Sequence, residues 1–182
     1  MQAKNLPSNS SRGVAAYDSS IFEGDLRWTD VSWLKTITRL PVLVKGVLRG
    51  DDARLALDHG ADGIIVSNHG GRQLDGAMAT IDALPDVVQA VNGAADVLVD
   101  GGIRRGSDVL KALARGAKAV LLGRPLLWGL ALDGEVGVGR VLDLLIEEFD
   151  LAMALCGCHS LAEVTPDLLA DHKLILQESN TL

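Results

Sequence analysis

The sequence predicts an α/β fold built on a parallel sheet, and three observations carry that prediction. An apolar run, a polar loop and an amphipathic segment follow one another four times, at roughly 25 to 35 residues per unit, as strand, crossover and helix should. The apolar runs lack polar alternation, which suits strands covered on both faces. Each run also breaks at its carboxyl end into glycine and charged residues, and in parallel sheets those ends share one rim.

Taken in order, residues 1–24 are rich in Ser, Asn, Gly and Pro with little periodicity, and read as a mobile leader or loop. The remainder, 25–182, reads as one domain. From Trp28 a short helix carries Val31, Trp33, Leu34 and Ile37, with Thr29 or Asp30 as its cap, and stops before Leu40-Pro41. Pro41 to Val47 reads as a buried strand, and Gly50 to Gly60 as a helix with an acidic start and a glycine stop. Ala61 to Ser67 is the second strand. Its helix runs from about Thr80 to Val91, with Ile81, Leu84, Val87, Val88 and Val91 on one face and Pro85 in the first turn. Asp96 to Asp100 is the third strand, followed by a helix from Ser107, a natural cap, to Arg115. Lys118 to Leu122 is the fourth. Apolar helical residues Leu126 to Leu132 and an amphipathic helix from Val138 to Leu155 complete the pattern.

Composition narrows the function classes. The chain has 182 residues, 48% of them apolar, which is enough for one domain with a real core. A net charge of −7 with dispersed Lys and Arg argues against nucleic acid or an anionic membrane as the main partner. No window approaches the length of a membrane span and the first residues do not resemble a signal peptide, so a cytoplasmic protein is expected. Cys156 and Cys158 lack zinc-ligand partners and read as buried packing thiols; no metal site is expected.

The chemistry sits at the strand ends. The first strand ends in Lys45-Gly46, the second in Ser67-Asn68-His69-Gly70-Gly71-Arg72, the third in Asp100-Gly101-Gly102 and the fourth in Gly123-Arg124. Singly, each has an ordinary explanation: a solvated lysine, a capping aspartate, a loop arginine or histidine. Together they converge on one rim, where the glycines let backbone N–H groups approach a phosphate. No Gly-x-Gly-x-x-Gly follows the first strand and no P-loop occurs, so a mononucleotide cofactor fits better than a dinucleotide or an NTP. Two arrangements compete at this point, a doubly wound open sheet and part of a (β/α)₈ barrel.

Leu43-Val44-Lys45-Gly46, Ser67 to Asp75 (Ser-Asn-His-Gly-Gly-Arg-Gln-Leu-Asp), Asp100 to Gly106 and Gly123-Arg124-Pro125 together resemble the flavin-dependent 2-hydroxy acid oxidases and dehydrogenases, a family that includes glycolate oxidase, lactate oxidase, mandelate dehydrogenase and flavocytochrome b2. The resemblance runs from about Trp28 to Leu169 and implies a (β/α)₈ TIM-barrel fold, with this chain supplying the last four βα units. It implies FMN as cofactor. Lys45 would lie near N1 and O2 of the flavin, where a positive charge favours electron acceptance, and Ser67 would hydrogen-bond the flavin. Asp100 would hold ribityl hydroxyls, while Gly101, Gly102, Ile103, Arg104, Gly123 and Arg124 would form the phosphate side. His69 would be the general base toward a small 2-hydroxy acid and Arg72 the clamp on its carboxylate. Electrons would leave to oxygen, a quinone or a cytochrome. The family's first four strands have no counterpart here, so the resemblance also implies either a homo-oligomer or a complement to a missing amino-terminal half. On that view the chain alone is catalytically impaired, or binds only FMN or a phosphate. A phosphosugar or other FMN barrel fits the His-Gly-x-Arg pattern less well.

Overall fold

The computed structural model describes residues 25–170, so the leader expected over 1–24 lies outside the described residues, as do 171–182. In chain order the elements are α1 (Trp28–Ile37), β1 (Leu43–Val47), α2 (Gly50–Asp58), β2 (Gly63–Val66), α3 (Thr80–Val91), β3 (Asp96–Asp100), α4 (Gly106–Ala114), β4 (Ala119–Leu121) and α5 (Arg124–Leu155). The four strands form one sheet in the order β1-β2-β3-β4, every pair parallel. That order decides between the two arrangements left open by the strand pattern. Sequential parallel strands joined by right-handed crossovers put all their helices on one face, as in a barrel wall, whereas a doubly wound sheet reverses its strand order midway.

Burial follows from this. Ile64 and Val66 of β2 and Val97 and Val99 of β3 point toward the helices and are almost fully buried. They meet Ala53 and Ala56 of α2, Leu84, Val87 and Val91 of α3, and Ala112 of α4 in the main core. Leu84, Val87 and Val91 are the predicted inward face of α3, at helical spacing. The intervening strand residues Ile65, Leu98 and Leu121 lie on the opposite face and are only partly buried. Register places Lys45 beside Ile65, Ile65 beside Leu98 and Leu98 beside Ala119, so these side chains share that second face.

The reading of β1 as a buried strand is therefore corrected. Leu43 is 40% exposed and Lys45 and Gly46 are exposed, because β1 is a sheet edge and no layer among the described residues covers its inner face. An apolar run marks a residue that gains from burial, not one whose partner layer is present. β4 is the other edge and is shorter than predicted, at three residues.

Helix starts also differ in detail. α1 begins at Trp28, and α4 at Gly106, so Asp30, Thr29 and Ser107 lie inside their helices and do not cap them. In both cases an aspartate in the first turn does the work. Asp30 accepts from the Arg27 N–H at 2.7 Å, and Asp108 accepts from the N–H groups of Arg104 and Arg105 at 3.0 Å each. Pro85 lies in the second turn of α3, not the first. Its missing N–H frees the carbonyl of Ile81, toward which Arg115 Nη1 donates at 3.5 Å.

α5 is two helices joined at Asp133 and Gly134, whose backbone is non-helical, as the separate segments predicted before and after that point require. The two arms cross at glycine: a Cβ on Gly137 would lie 2.0 Å from the Gly129 carbonyl oxygen. Gly106 serves the same purpose between α4 and α5, where a Cβ would lie 2.0 Å from the Phe149 nitrogen. Glu148 of α5 fixes this contact by accepting from the Gly106 N–H at 2.8 Å. A second, smaller core under α5 joins Leu110, Ala114, Cys158 and Val164. Cys158 is buried, and burial raises its thiol pKa, but Cys156 is exposed and corrects the expectation of two buried thiols. It caps the carboxyl end of α5, where the chain leaves the packed layer.

Candidate active site

The carboxyl ends of the four strands open into one cleft of about 320 Å³, lined by Lys45, His69, Arg72, Asp100, Gly101, Gly102, Ile103, Arg104, Gly123 and Arg124. All of these are residues that the strand-end motifs single out in the sequence. Ser67, the remaining candidate, lies behind the rim at 1% exposure and holds it together. Its Oγ accepts from Lys45 Nζ at 2.8 Å and from the His69 backbone N–H at 3.0 Å.

Lys45 reaches across the sheet. It projects from the edge strand β1, past Ser67 at the end of β2, to Asp100 Oδ2 at the end of β3, at 2.9 Å. The strands place these groups together because parallel register aligns their ends, although 55 positions of sequence separate Lys45 from Asp100. The aspartate is the more enclosed partner, with 18% of its side chain exposed against 40% for the lysine. Asp100 Oδ1 is buried and has no hydrogen-bond partner. A buried carboxylate oxygen left without a donor is costly, and it sits in the lining of a cleft.

After β2 the chain turns through three successive left-handed residues, His69 (φ 56), Gly70 (φ 69) and Gly71 (φ 73). Glycine adopts that conformation freely, whereas histidine does so at a cost, and such residues gather at functional sites. Asn68 stabilises the turn: its Oδ1 accepts from the Gly71 N–H at 3.1 Å, and its Nδ2 donates to the Met78 carbonyl at 3.2 Å. The turn brings Arg72 back over His69. Arg72 Nη2 lies 2.6 Å from His69 Nε2, and its Nε lies 3.3 Å from the His69 carbonyl oxygen. A guanidinium has only donors, so Nε2 is the acceptor and the ring carries its proton on Nδ1.

The fourth strand end closes the cleft from the other side. Arg124 Nη2 donates to the Gly70 carbonyl at 3.0 Å, which ties the loop after β2 to the start of α5. Arg104, Gly101, Gly102 and Gly123 border the same side, together with Trp128 and Pro125. Two contributors were missed from sequence. Thr80, 3% exposed, donates from Oγ1 to the Asp100 carbonyl at 2.6 Å and so aims the third strand end. Asn68 is the other: it lies within the Ser67 to Asp75 motif, and its part in holding the turn shows only in the folded loop. A polar residue opening an amphipathic helix was the available signal for Thr80; nothing local shows that its partner lies 20 positions away.

Taken together the cleft can hold an anionic, hydroxyl-bearing ligand against its cations and glycine loops, and a second small anion against Arg72 beside an imidazole. Known proteins of this kind exist. A family model described as FMN-dependent dehydrogenase matches residues 1–171. The chain is 54% identical over 166 residues to human 2-hydroxyacid oxidase 1, covering 91% of this chain and 45% of that protein. It is 55% identical over 157 residues to L-lactate oxidase of Nostoc sp., covering 86% of this chain and 43% of that one. Among solved structures, a mandelate oxidase mutant with a monooxide FMN adduct superposes with a TM-score of 0.74 at 55% identity, over 76% of this chain and 44% of that chain. The chain thus spans less than half the length of the curated relatives it matches.

Proposed function

Because the chain belongs to the FMN-dependent dehydrogenase family, with the parallel α/β architecture of a TIM-barrel wall, we propose that its strand-end cleft binds FMN and serves the oxidation of a small L-2-hydroxy acid to the 2-oxo acid. The observation that carries this reading is the convergence of Lys45, Ser67, His69, Arg72 and Asp100 on one rim through bonds of 2.6 to 3.0 Å.

The residues present fit FMN. The unpartnered, buried Oδ1 of Asp100 suits a hydroxyl donor of a polyol chain. Gly101, Gly102, Ile103, Arg104, Gly123 and Arg124 would hold the phosphate end with backbone N–H groups and guanidinium charge. Lys45 and Ser67 would hold the ring end. When bound, the flavin supplies the two-electron acceptor that no amino-acid side chain provides.

Toward substrate, Arg72 binds the carboxylate in bidentate fashion, which fixes the 2-carbon and its hydroxyl over the cleft. His69 Nε2 takes the proton that leaves the 2-hydroxy acid; the Nδ1-protonated tautomer puts a lone pair on that nitrogen, which accepts from Arg72 until the guanidinium turns to the substrate carboxylate. Ser67, through the His69 N–H, keeps the base in its left-handed backbone position. Electrons then pass to oxygen, a quinone or a cytochrome.

Mixing the chain with FMN and following flavin absorbance during anaerobic addition of L-lactate, glycolate or L-mandelate tests the proposal. Bleaching that disappears in His69→Gln while FMN stays bound supports it. Retained FMN with no bleaching by any of the three acids leaves the second reading, a flavin or phosphate binder impaired in catalysis.

That second reading is favoured by one specific feature. Among the described residues the outer sides of β1 and β4 have no partner strand, the sheet face bearing Ile65, Leu98 and Leu121 is only partly covered, and Trp33 and Ile37 of α1 and Leu127 and Trp128 of α5 are more than half exposed. We infer that full turnover needs this face closed, by another copy or by an amino-terminal half barrel. Leu98→Lys should then abolish association seen by size-exclusion chromatography. No described helix is long and apolar enough to cross a membrane. A cytoplasmic location is part of the proposal, although two Arabidopsis thaliana relatives are named peroxisomal (S)-2-hydroxyacid oxidases.

A further inference from the structure

The contact between Arg72 and His69 has a chemical meaning beyond carboxylate binding. A general base works through a free lone pair, and at 2.6 Å the lone pair of Nε2 is taken by Arg72 Nη2. The same guanidinium is braced on the His69 carbonyl oxygen at 3.3 Å, so it is folded over its own neighbour and not extended into solvent. Both side chains are exposed, so neither is trapped there by packing. Two competitors for the guanidinium must be compared. An imidazole nitrogen offers one neutral acceptor, whereas a carboxylate offers two charged oxygens in the geometry of the guanidinium fork.

We propose that Arg72 caps the His69 base and that a carboxylate ligand draws it off, so that the base is uncovered only when an acid is bound. This deepens the reading of the site as a 2-hydroxy acid site and rests on it for the identity of the ligand. The capping itself rests on the geometry alone. It makes Arg72 a specificity-determining residue in a second sense. A neutral 2-hydroxy amide or ester of the same shape meets a covered base, and is rejected for lack of an available lone pair as well as for weaker binding.

The other charged groups of the cleft act on different atoms. Lys45 is engaged with Asp100 and Ser67, and Arg124 with the Gly70 carbonyl. Arg104 borders the cleft beyond Gly101 and Gly102. Among the described residues Arg72 is the group that bonds Nε2.

The test is nitrogen NMR of histidine-labelled full-length chain loaded with FMN, which reads the tautomer of the His69 ring without turnover. The His69 signals are assigned by their loss in His69→Gln. The probe is 2-hydroxy-2-methylpropanoate, which has no 2-hydrogen and cannot be oxidised; 2-hydroxy-2-methylpropanamide is its neutral twin. In the free protein the ring should show a bare, hydrogen-bonded Nε2 and a protonated Nδ1. Saturation with the acid should shift the Nε2 signal away from its Arg72-bonded position, and the amide at the same concentration should leave it in place. Arg72→Met should show the shifted signal without any ligand and no further response to the acid; Arg72→Lys serves if the methionine variant does not fold. An Nε2 signal unmoved by the acid, or moved equally by the amide, overturns the capping. The same spectra recorded without FMN keep this result separate from the oxidase reading, whose own failure appears as absent flavin bleaching.

Discussion

Replacing Ser67 by alanine tests how the rim is held. Ser67 is 1% exposed, and its hydroxyl accepts from two donors at once, the His69 N–H at 3.0 Å and Lys45 Nζ at 2.8 Å. A methyl group accepts from neither. Lys45 loses little, since 40% of its side chain is exposed and it keeps Asp100 at 2.9 Å, so water replaces the lost bond. The His69 N–H is less fortunate, being part-buried at the start of a left-handed turn with φ 56. An unsatisfied donor there costs about 1–3 kcal/mol, and partial access of water brings the net to about 1–2 kcal/mol. With a urea slope of about 2 kcal/mol per molar, the unfolding midpoint should fall by roughly 0.5–1 M at unchanged slope. The His69 amide should also exchange faster with solvent than in the parent chain. A midpoint within about 0.15 M of the parent, together with unchanged His69 exchange, would refute the assignment of Ser67 as the anchor of the base.

Gly106→Ala should be among the most damaging single-methyl changes, because the new carbon would lie 2.0 Å from backbone nitrogen of Phe149; a loss of about 3 kcal/mol in urea unfolding, or insoluble protein, is expected. Arg124→Met removes a cleft cation and the bond to the Gly70 carbonyl, and should weaken FMN binding about tenfold or more, read from flavin fluorescence. The Asp62 carboxylate joins α1 to the sheet, accepting from Lys35 Nζ at 2.6 Å and from the Val42 N–H at 2.7 Å, and these bonds hold its pKa below the ordinary 3.8. A depressed carboxylate contributes stability above its unfolded value and loses it as pH falls through the folded one. The difference in urea midpoint between the parent and Asp62→Asn should therefore be constant at neutral pH and shrink below pH 3.8. A gap that widens on acidification would contradict this ion pair.

What the sequence disclosed was governed by topology more than by single residues. Lys45, His69, Asp100 and Arg124 could be placed on one rim because parallel strands end together whatever their loops do. The inward face of α3 was legible from spacing alone. Exposure of β1 was not, since Leu43 and Val44 are apolar whether or not a layer covers them. Helix caps were misplaced because an aspartate three residues inside can bond the preceding N–H as well as a cap would, which moves the start upstream. The pairing of Arg115 with the carbonyl freed by Pro85, and of Thr80 with Asp100, joins residues 34 and 20 positions apart. Only the folded sheet and its crossover helices bring such partners within reach. The closure of Arg72 onto His69 needed the actual dihedral angles of the turn, because a flexible arginine three residues on has many other directions open to it.

The order of strands in the sheet bears on how the chain is made. Among the described strands β2, β3 and β4 each pair with the one synthesised just before, so each of these βα units finds its partner already outside the ribosome. Contacts of this kind close short loops, which favours rapid acquisition of structure during translation. Among the described residues β4 has no strand on its outer side, and it is there that a nascent chain is most open to pairing with a stranger.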